Sequence, residues 1–186
     1  ARQREYAWLT GDVRAEDRAT QYGHRAAIVL FTGSAQTGKT FLARRVEALL
    51  VADSRHAYLL EGENLLQGLD ADLSAADPSF AAERVRRYGE VARLLIDTGL
   101  IVVSTSKTFG INYQRMAEMI RTLVQPAPVI AVHMSRAGEE PPPNTDLHFA
   151  GPQDFDAAAR QILEELKRRG VLIQPSGTKS TIQYSI

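Results

Sequence analysis

Eight consecutive residues near the start of the chain have the types and spacing of a phosphate-binding loop. Glycines at the first and sixth positions are followed by lysine and threonine, which is the pattern G-x-x-x-x-G-K-[ST]. Backbone amides in such a loop, together with the dipole of the helix that follows, attract phosphate groups. We expect the lysine to reach the terminal phosphates of a nucleotide and the threonine hydroxyl to ligate Mg²⁺. The residues expected to bind ATP are Gly33, Ser34, Ala35, Gln36, Thr37, Gly38, Lys39 and Thr40.

The residues on either side of the loop provide the context that this motif requires. An apolar stretch at 26–31 precedes it and predicts a buried strand, and a helical pattern at 41–50 follows it. The loop alone does not distinguish a kinase from a GTPase or a motor protein. The sequence contains no Asn-Lys-x-Asp motif, with which GTPases recognise guanine. The loop therefore favours a protein that uses ATP.

A second group of candidate residues follows the next predicted strand, at 57–60. Glu61 and Glu63 place two carboxylates at the end of this strand, beside the predicted phosphate site. Phosphoryl transfer needs Mg²⁺ near the β- and γ-phosphates and an acceptor hydroxyl in line with them. A carboxylate at this position can hold a metal-bound water or accept the hydroxyl proton. We therefore predict that Lys39, Glu61 and Glu63 are the catalytic residues, the alternative being an acidic surface turn.

Apolar runs alternate with amphipathic patterns along the rest of the chain. This alternation predicts an α/β fold, a P-loop NTPase-type three-layer sandwich with a mainly parallel sheet. Ligands of such folds bind at the carboxyl ends of the strands. Strands are predicted at 26–31, 57–60, 100–103, 129–132 and 147–149, and helices at 14–22, 41–50, 77–98, 112–124 and 154–169.

The composition narrows the class of partner and the compartment. The 22 basic residues balance 22 acidic residues, which argues against a nucleic-acid or anionic-membrane partner. The sequence has no cysteine and no apolar run long enough to span a bilayer. We therefore expect a cytoplasmic location. We also expect one kinase domain at 25–172, with an N-terminal segment at 1–24 packed on it and a C-terminal tail at 173–186.

Several stretches resemble the adenylylsulfate (APS) kinase family. The similarity covers most of residues 6–172, and its central part is specific because other P-loop proteins do not combine these stretches in this order. The resemblance implies ATP and Mg²⁺ as cofactors and phosphorylation of the 3′-hydroxyl of APS to give PAPS. It also places Glu61 and Glu63 where the family has the aspartates of an Asp-Gly-Asp-Asn motif. The stretches are 31–40, 58–65, 68–73, 83–92, 97–104 and 142–147.

The chain departs from this family where the family binds the APS nucleotide. Leu66 and Ala81 stand in place of arginines, and Arg84 stands in place of an asparagine. The long basic lid of the family is reduced to residues 135–140. We expect Arg86 to lie on a solvated helix face. The predicted contacts to the acceptor substrate are Asn64, Arg84, Arg87 and Lys107.

Three functions are compatible with this sequence. The first is an active APS kinase or a divergent relative. The second is a non-catalytic nucleotide-binding domain that regulates or scaffolds an ATP sulfurylase module, and the third is a kinase for another small hydroxyl compound. The intact loop favours the use of ATP, whereas Leu66, Ala81 and the short lid favour the second or third function. A homodimer, or fusion to or association with a sulfurylase, is compatible with all of these observations.

Overall fold

A single parallel sheet forms the centre of the structure. The computed structural model describes residues 8–9, 11–105, 113–151 and 154–173. Within these residues the sheet has the strand order β2-β3-β1-β4-β5, and every pair of neighbours is parallel. The α/β class predicted from the sequence is confirmed. The strands are β1 (Ala27–Gly33), β2 (Ala57–Glu61), β3 (Ile101–Thr105), β4 (Val129–Ser135) and β5 (Leu147–Ala150).

Helices cover both faces of the sheet and complete three layers. The second and sixth helices share one apolar cluster with one face of the sheet, and the fourth and fifth share another with the opposite face. None of the helices in the described part of the chain is both long enough and apolar enough to cross a membrane. The helices are α1 (Ala15–Tyr22), α2 (Lys39–Ala52), α3 (Gly62–Leu65), α4 (Phe80–Asp97), α5 (Tyr113–Val124) and α6 (Phe155–Arg168).

The strand residues alternate between the two apolar clusters. In β1, Val29 and Phe31 pack with α2 and α6, whereas Ile28 and Leu30 pack with α4 and α5. A parallel strand that is buried on both faces reads as a continuous apolar run, which is why β1 could be found in the sequence. The same alternation puts Glu61, two residues after Leu59, on the face covered by α2.

The residues just before β1 contact the end of the chain's described part, at the end of the sheet opposite the phosphate loop. Gly23, with φ +68°, closes α1, and its amide donates to the Ala19 carbonyl. His24 then forms an antiparallel bridge with Leu172. The Ile173 amide also donates to the Gly23 carbonyl, so the end of the N-terminal segment is joined to the predicted domain, whose boundaries stay a prediction. Residues 174–186, most of the predicted tail, lie outside the described residues.

Candidate nucleotide-binding and catalytic site

Two glycines shape the loop between β1 and α2. Gly33 has φ +121°, and a Cβ atom there would lie 1.9 Å from the Met134 carbonyl oxygen. The next amide, of Ser34, donates to that carbonyl at 3.0 Å, so β4 supports the start of the loop. Gly38 has φ +87°, and a Cβ atom there would lie 2.6 Å from the Phe155 ring. Only glycine fits these two positions, because each combines a positive φ with a close neighbour.

Lys39 is the first residue of α2, and its side chain folds back over the loop. Its Nζ atom donates to the Gly33 carbonyl at 2.9 Å and also to the Ser34 carbonyl. Burial lowers the pKa of Lys39, and the nearby Glu63 carboxylate acts in the opposite direction. The ammonium therefore lies within the phosphate loop with one carboxylate of the predicted acidic pair close to it.

The two glutamates in residues 61–64, called here the acidic turn, have different surroundings. Glu61 ends β2 on the α2 face, and its Oε1 atom lies 3.4 Å from Arg44 Nη2. Glu63 lies in α3, and its charge acts on Lys39. The structure thus places Glu63 where its charge acts on Lys39 and pairs Glu61 with an arginine of α2. Their catalytic roles stay predictions.

A fully buried tyrosine fixes the backbone behind this turn. The Tyr88 hydroxyl of α4 donates to the Leu60 carbonyl at 2.8 Å and lies 2.5 Å from Ser104 Oγ. Burial raises the pKa of Tyr88, and the charges of Glu63 and Glu61 raise it further. Tyr88 therefore links α4 to the carboxyl ends of β2 and β3, which fixes where the acidic turn begins.

A cavity of about 540 Å³ opens on the other side of the loop. Phosphate-loop residues form one wall, the connection after β4 forms another, and Phe155 lies at the start of α6. The Phe155 and Phe41 rings contact each other with their centroids 4.8 Å apart. The cavity combines an aromatic ring with polar groups next to the phosphate loop. Its lining residues are Gln36, Thr37, Gly38, Ser135, Arg136, Ala137, Gly151 and Phe155.

Two of the basic residues predicted to contact the acceptor are engaged with carboxylates. Arg84 is buried, and its Nε atom lies 3.4 Å from Asp70 Oδ2. Arg87 pairs with Asp72 at 2.5 Å and with Glu83 at 3.0 Å.

The two other predicted acceptor contacts differ in what the structure describes. Asn64, at the end of the acidic turn, is exposed. Lys107 lies outside the described residues. The acceptor role of all four residues stays a prediction.

Other polar residues beside the loop could not be found from a motif. Ser34 Oγ donates to Glu139 Oε2 at 2.5 Å, and this hydrogen bond lowers the pKa of Glu139. On the α5 side, the Tyr113 hydroxyl donates to the Gly33 carbonyl at 2.8 Å, and its ring lies 5.4 Å from the His133 ring. The two hydrogen-bonded pairs are 105 and 80 residues apart in sequence, and no spacing rule connects them.

The oxygen atoms near the loop suit a magnesium ion that is held mainly by phosphates and water. No group of three or more His, Cys, Asp or Glu side chains that could hold a metal occurs among the described residues. Mg²⁺ in nucleotide sites takes one or two protein oxygens and keeps several waters. Thr40 follows Lys39 in α2, the charge of Glu63 acts on Lys39, and the buried Thr105 hydroxyl at the end of β3 has no hydrogen-bond partner within the described part. This donor set fits such an ion.

A sequence model of the family described as adenylylsulphate kinase matches residues 25–141, more than half of the chain. The chain belongs to this family. It is 29% identical to the adenylyl-sulfate kinase of Yersinia pestis over 194 residues, which covers 89% of each protein. It is 38% identical to the adenylyl-sulfate kinase of Shewanella amazonensis over 128 residues, 69% of this chain and 63% of that relative. The resemblance predicted from the sequence is confirmed.

Solved structures of APS kinases share the fold. An APS kinase mutant from Mycobacterium tuberculosis has a TM-score of 0.67 at 29% identity, covering 77% of this chain and 99% of that one. The same enzyme in complex with AMPPNP and APS has a TM-score of 0.64 at 24% identity, covering 77% and 99%. A hexameric APS kinase from Thiobacillus denitrificans has a TM-score of 0.66 at 24% identity, covering 82% of this chain and 31% of that chain.

Proposed function

We propose that this chain transfers the γ-phosphoryl group of MgATP to the 3′-hydroxyl of APS, giving ADP and PAPS. The observation that carries this proposal is the intact phosphate loop with Lys39 buried beside Glu63, in a chain that belongs to the adenylylsulphate kinase family. The M. tuberculosis APS kinase, which shares the fold, is known in complex with AMPPNP and APS. Both ligands of that complex correspond to the two substrates proposed here.

The nucleotide would extend from the loop into the cavity beside it. Its phosphates would meet the backbone amides of residues 33–40 and the amino end of α2, where the helix dipole favours negative charge. Its base would lie in the cavity between Gln36 and the Ser135–Ala137 connection, near the Phe155 ring. Aromatic rings and backbone groups of this kind orient small ligands without requiring a large rearrangement.

The residues that would hold Mg²⁺ are Thr40 and Glu63, the latter through water. The ion would neutralise charge on the phosphates during transfer. Lys39 would stabilise the charge that develops on the transferred group once its ammonium turns from the loop carbonyls to the phosphates. Glu63 is the candidate that accepts the proton of the attacking hydroxyl. Glu61 is a second candidate, but its carboxylate contacts Arg44.

The acceptor would bind between α3 and α4, at the end of the sheet that carries the acidic turn. Asn64 is exposed there, and Arg84, Arg87 and Lys107 are proposed to supply positive charge. We also propose a cytoplasmic location, and either a homodimer or an association with a sulfurylase module. These statements rest on the family and on the charge of the chain.

One observation favours a second candidate, a non-catalytic nucleotide-binding domain. Arg84 is buried against Asp70, and Arg87 is paired with Asp72 and Glu83. Both guanidinium groups therefore already bind carboxylates of this chain, which leaves fewer of their N–H groups for an acceptor. A regulatory domain of this type would bind ATP and lack turnover of APS.

The two candidates are separated by calorimetric titration with AMPPNP and APS, followed by an assay for PAPS with MgATP. The proposed kinase binds both ligands and forms PAPS. Glu63→Gln should then lower kcat by about 10²- to 10⁴-fold, the range typical of a lost general base, and Glu61→Gln by much less. Binding of AMPPNP without APS binding and without PAPS would support the regulatory domain. Equal losses for the two variants would remove Glu63 from its proposed role.

A further inference from the structure

One backbone carbonyl in the phosphate loop receives hydrogen bonds from two different side chains. The Gly33 oxygen accepts from Lys39 Nζ at 2.9 Å and from the Tyr113 hydroxyl at 2.8 Å. Gly33 is buried at the end of β1, where any side chain would collide with Met134. The two donors come from opposite faces of the sheet, since α2 covers one face and α5 the other.

Tyr113 is oriented by residues that lie beneath the loop. It is the first residue of α5, and its ring meets the His133 ring edge to face with the centroids 5.4 Å apart. His133 in turn lies 2.9 Å, through Nδ1, from the hydroxyl of Thr32, the residue before Gly33. The phenol is therefore held against the same strand whose carbonyl it binds.

The presence of two donors on the Gly33 carbonyl has a consequence when a nucleotide binds. Lys39 can reach terminal phosphates only by turning its ammonium away from the Gly33 and Ser34 carbonyls. A buried carbonyl that loses its donor costs free energy, because the group was already removed from water. A second donor that stays in place avoids this cost for Gly33.

We propose that Tyr113 is a positioning residue: its hydroxyl keeps the Gly33 carbonyl hydrogen-bonded while Lys39 transfers to the phosphates of ATP. The proposal rests on the proposed function, and it adds a residue that the sequence motif does not contain. Tyr113 acts through the loop and through Lys39. It does not itself touch the reacting phosphorus.

The first test is a double-mutant cycle in the free protein, which needs no nucleotide. Tyr113→Phe and Lys39→Met each leave one donor on the Gly33 carbonyl, whereas the double variant leaves none. Urea denaturation measures the factor by which each variant raises the unfolding equilibrium constant over that of the wild type. We expect the factor for the double variant to be about ten times the product of the two single-variant factors. Additive single effects would overturn the proposal.

The second test measures MgATP binding to the complete chain by calorimetry. Tyr113→Phe should raise the dissociation constant about five- to fiftyfold and raise KM for MgATP by a similar factor, with kcat changed by less than about twofold. Tyr58→Phe removes a hydroxyl from an exposed tyrosine on β2 and serves as the matched control. Unchanged affinity in Tyr113→Phe would also overturn the proposal.

The two tests separate this proposal from the proposed function. If wild-type protein binds no MgATP, the proposed function fails, but the cycle in the free protein still decides whether the two donors share one carbonyl. If MgATP binds and the cycle is additive, the proposed function stands and the role of Tyr113 is rejected.

Discussion

The two halves of the site use their polar groups differently. In the loop half, Lys39 and the backbone of residues 33–40 converge on one place. Lys39 and Tyr113 donate to the Gly33 carbonyl, and Glu139 accepts from the Ser34 hydroxyl. In the acceptor half, between β2 and α4, Arg84 and Arg87 are bound to carboxylates of their own chain. The first half therefore gathers its polar groups around the loop backbone. The second half is arranged around internal ion pairs, in which its two arginines have a structural role.

Burial distinguishes the ion pairs of the acceptor half from one another. The Arg84 and Asp70 side chains are 5% and 0% exposed, whereas the Arg86 side chain is 51% exposed beside Glu83. An ion pair in water contributes little, but a buried pair that loses one partner leaves a charge without compensation. Arg84 should therefore be important for the stability of this half, and Arg86 should not.

The largest effect is expected from Arg84→Met. This change leaves Asp70 buried without its cationic partner and should lower the free energy of unfolding by about 3–5 kcal/mol. Urea denaturation of the complete chain measures it. The matched control is Arg86→Met on the same helix, which should cost less than about 0.5 kcal/mol.

A second variant tests the cause of that loss. Asp70→Leu combined with Arg84→Met removes both charges and should recover part of the stability, since no uncompensated charge remains. Similar losses for Arg84→Met and Arg86→Met would show that the buried pair does not organise the acceptor half. The arginine would then be available for the acceptor, as the sequence predicted.

The two halves also differ in how much of them could be predicted from the sequence. The loop half depends on consecutive residues, 33–40, between a continuous apolar strand and a helix, so local patterns were sufficient. The five strands and five of the helices followed for the same reason, with deviations of a few residues, but the short helix α3 was not predicted. The prediction began the fourth helix at 77, but it begins at Phe80, because Asp77 accepts from the Ser79 amide and hydroxyl in a preceding turn.

Contacts between distant residues could not be predicted. Arg84 meets Asp70 only because the segment after α3 folds back against α4. Glu139 and Tyr113 reach the loop across 105 and 80 residues. The sequence places Arg86 on a solvated face correctly, because helical periodicity decides that locally.

An intermediate effect is expected from restoring positive charge to the acceptor half. Leu66 is 40% exposed at the end of α3, and Ala81 lies in the first turn of α4. The double change Leu66→Arg with Ala81→Arg should tighten APS binding about ten- to hundredfold, because each charge-assisted hydrogen bond contributes on the order of 1.5–3 kcal/mol and neighbouring contacts are seldom additive. Calorimetry with APS measures the change.

Charge alone could raise the affinity for an anion, and a third position controls for this. Gln67→Arg adds a cation to the same exposed segment and should change APS affinity by less than about threefold, as expected of a screened surface charge. If wild-type protein already phosphorylates APS at ordinary rates and the double change has no effect, other residues bind the acceptor. The acceptor half would then bind APS in spite of its internal ion pairs.

The smallest effect is expected from acid, which acts on the loop half through the buried His133. Burial lowers the pKa of His133, and the nearby His148 and Lys39 lower it further, so folding favours the neutral ring. The unfolded chain then binds more protons just below about pH 6.5, and stability present above that value is lost as the pH falls.

Hydrogen bonds with Arg86 and Arg87 instead lower the pKa of Glu83 to about 2, so its contribution persists until the pH falls below about 4.5. Between about pH 7 and about pH 5, His133→Gln should flatten the fall of the unfolding free energy, and Glu83→Gln should not. Equal slopes in wild type and His133→Gln would contradict this, and would show that acid does not distinguish the two halves.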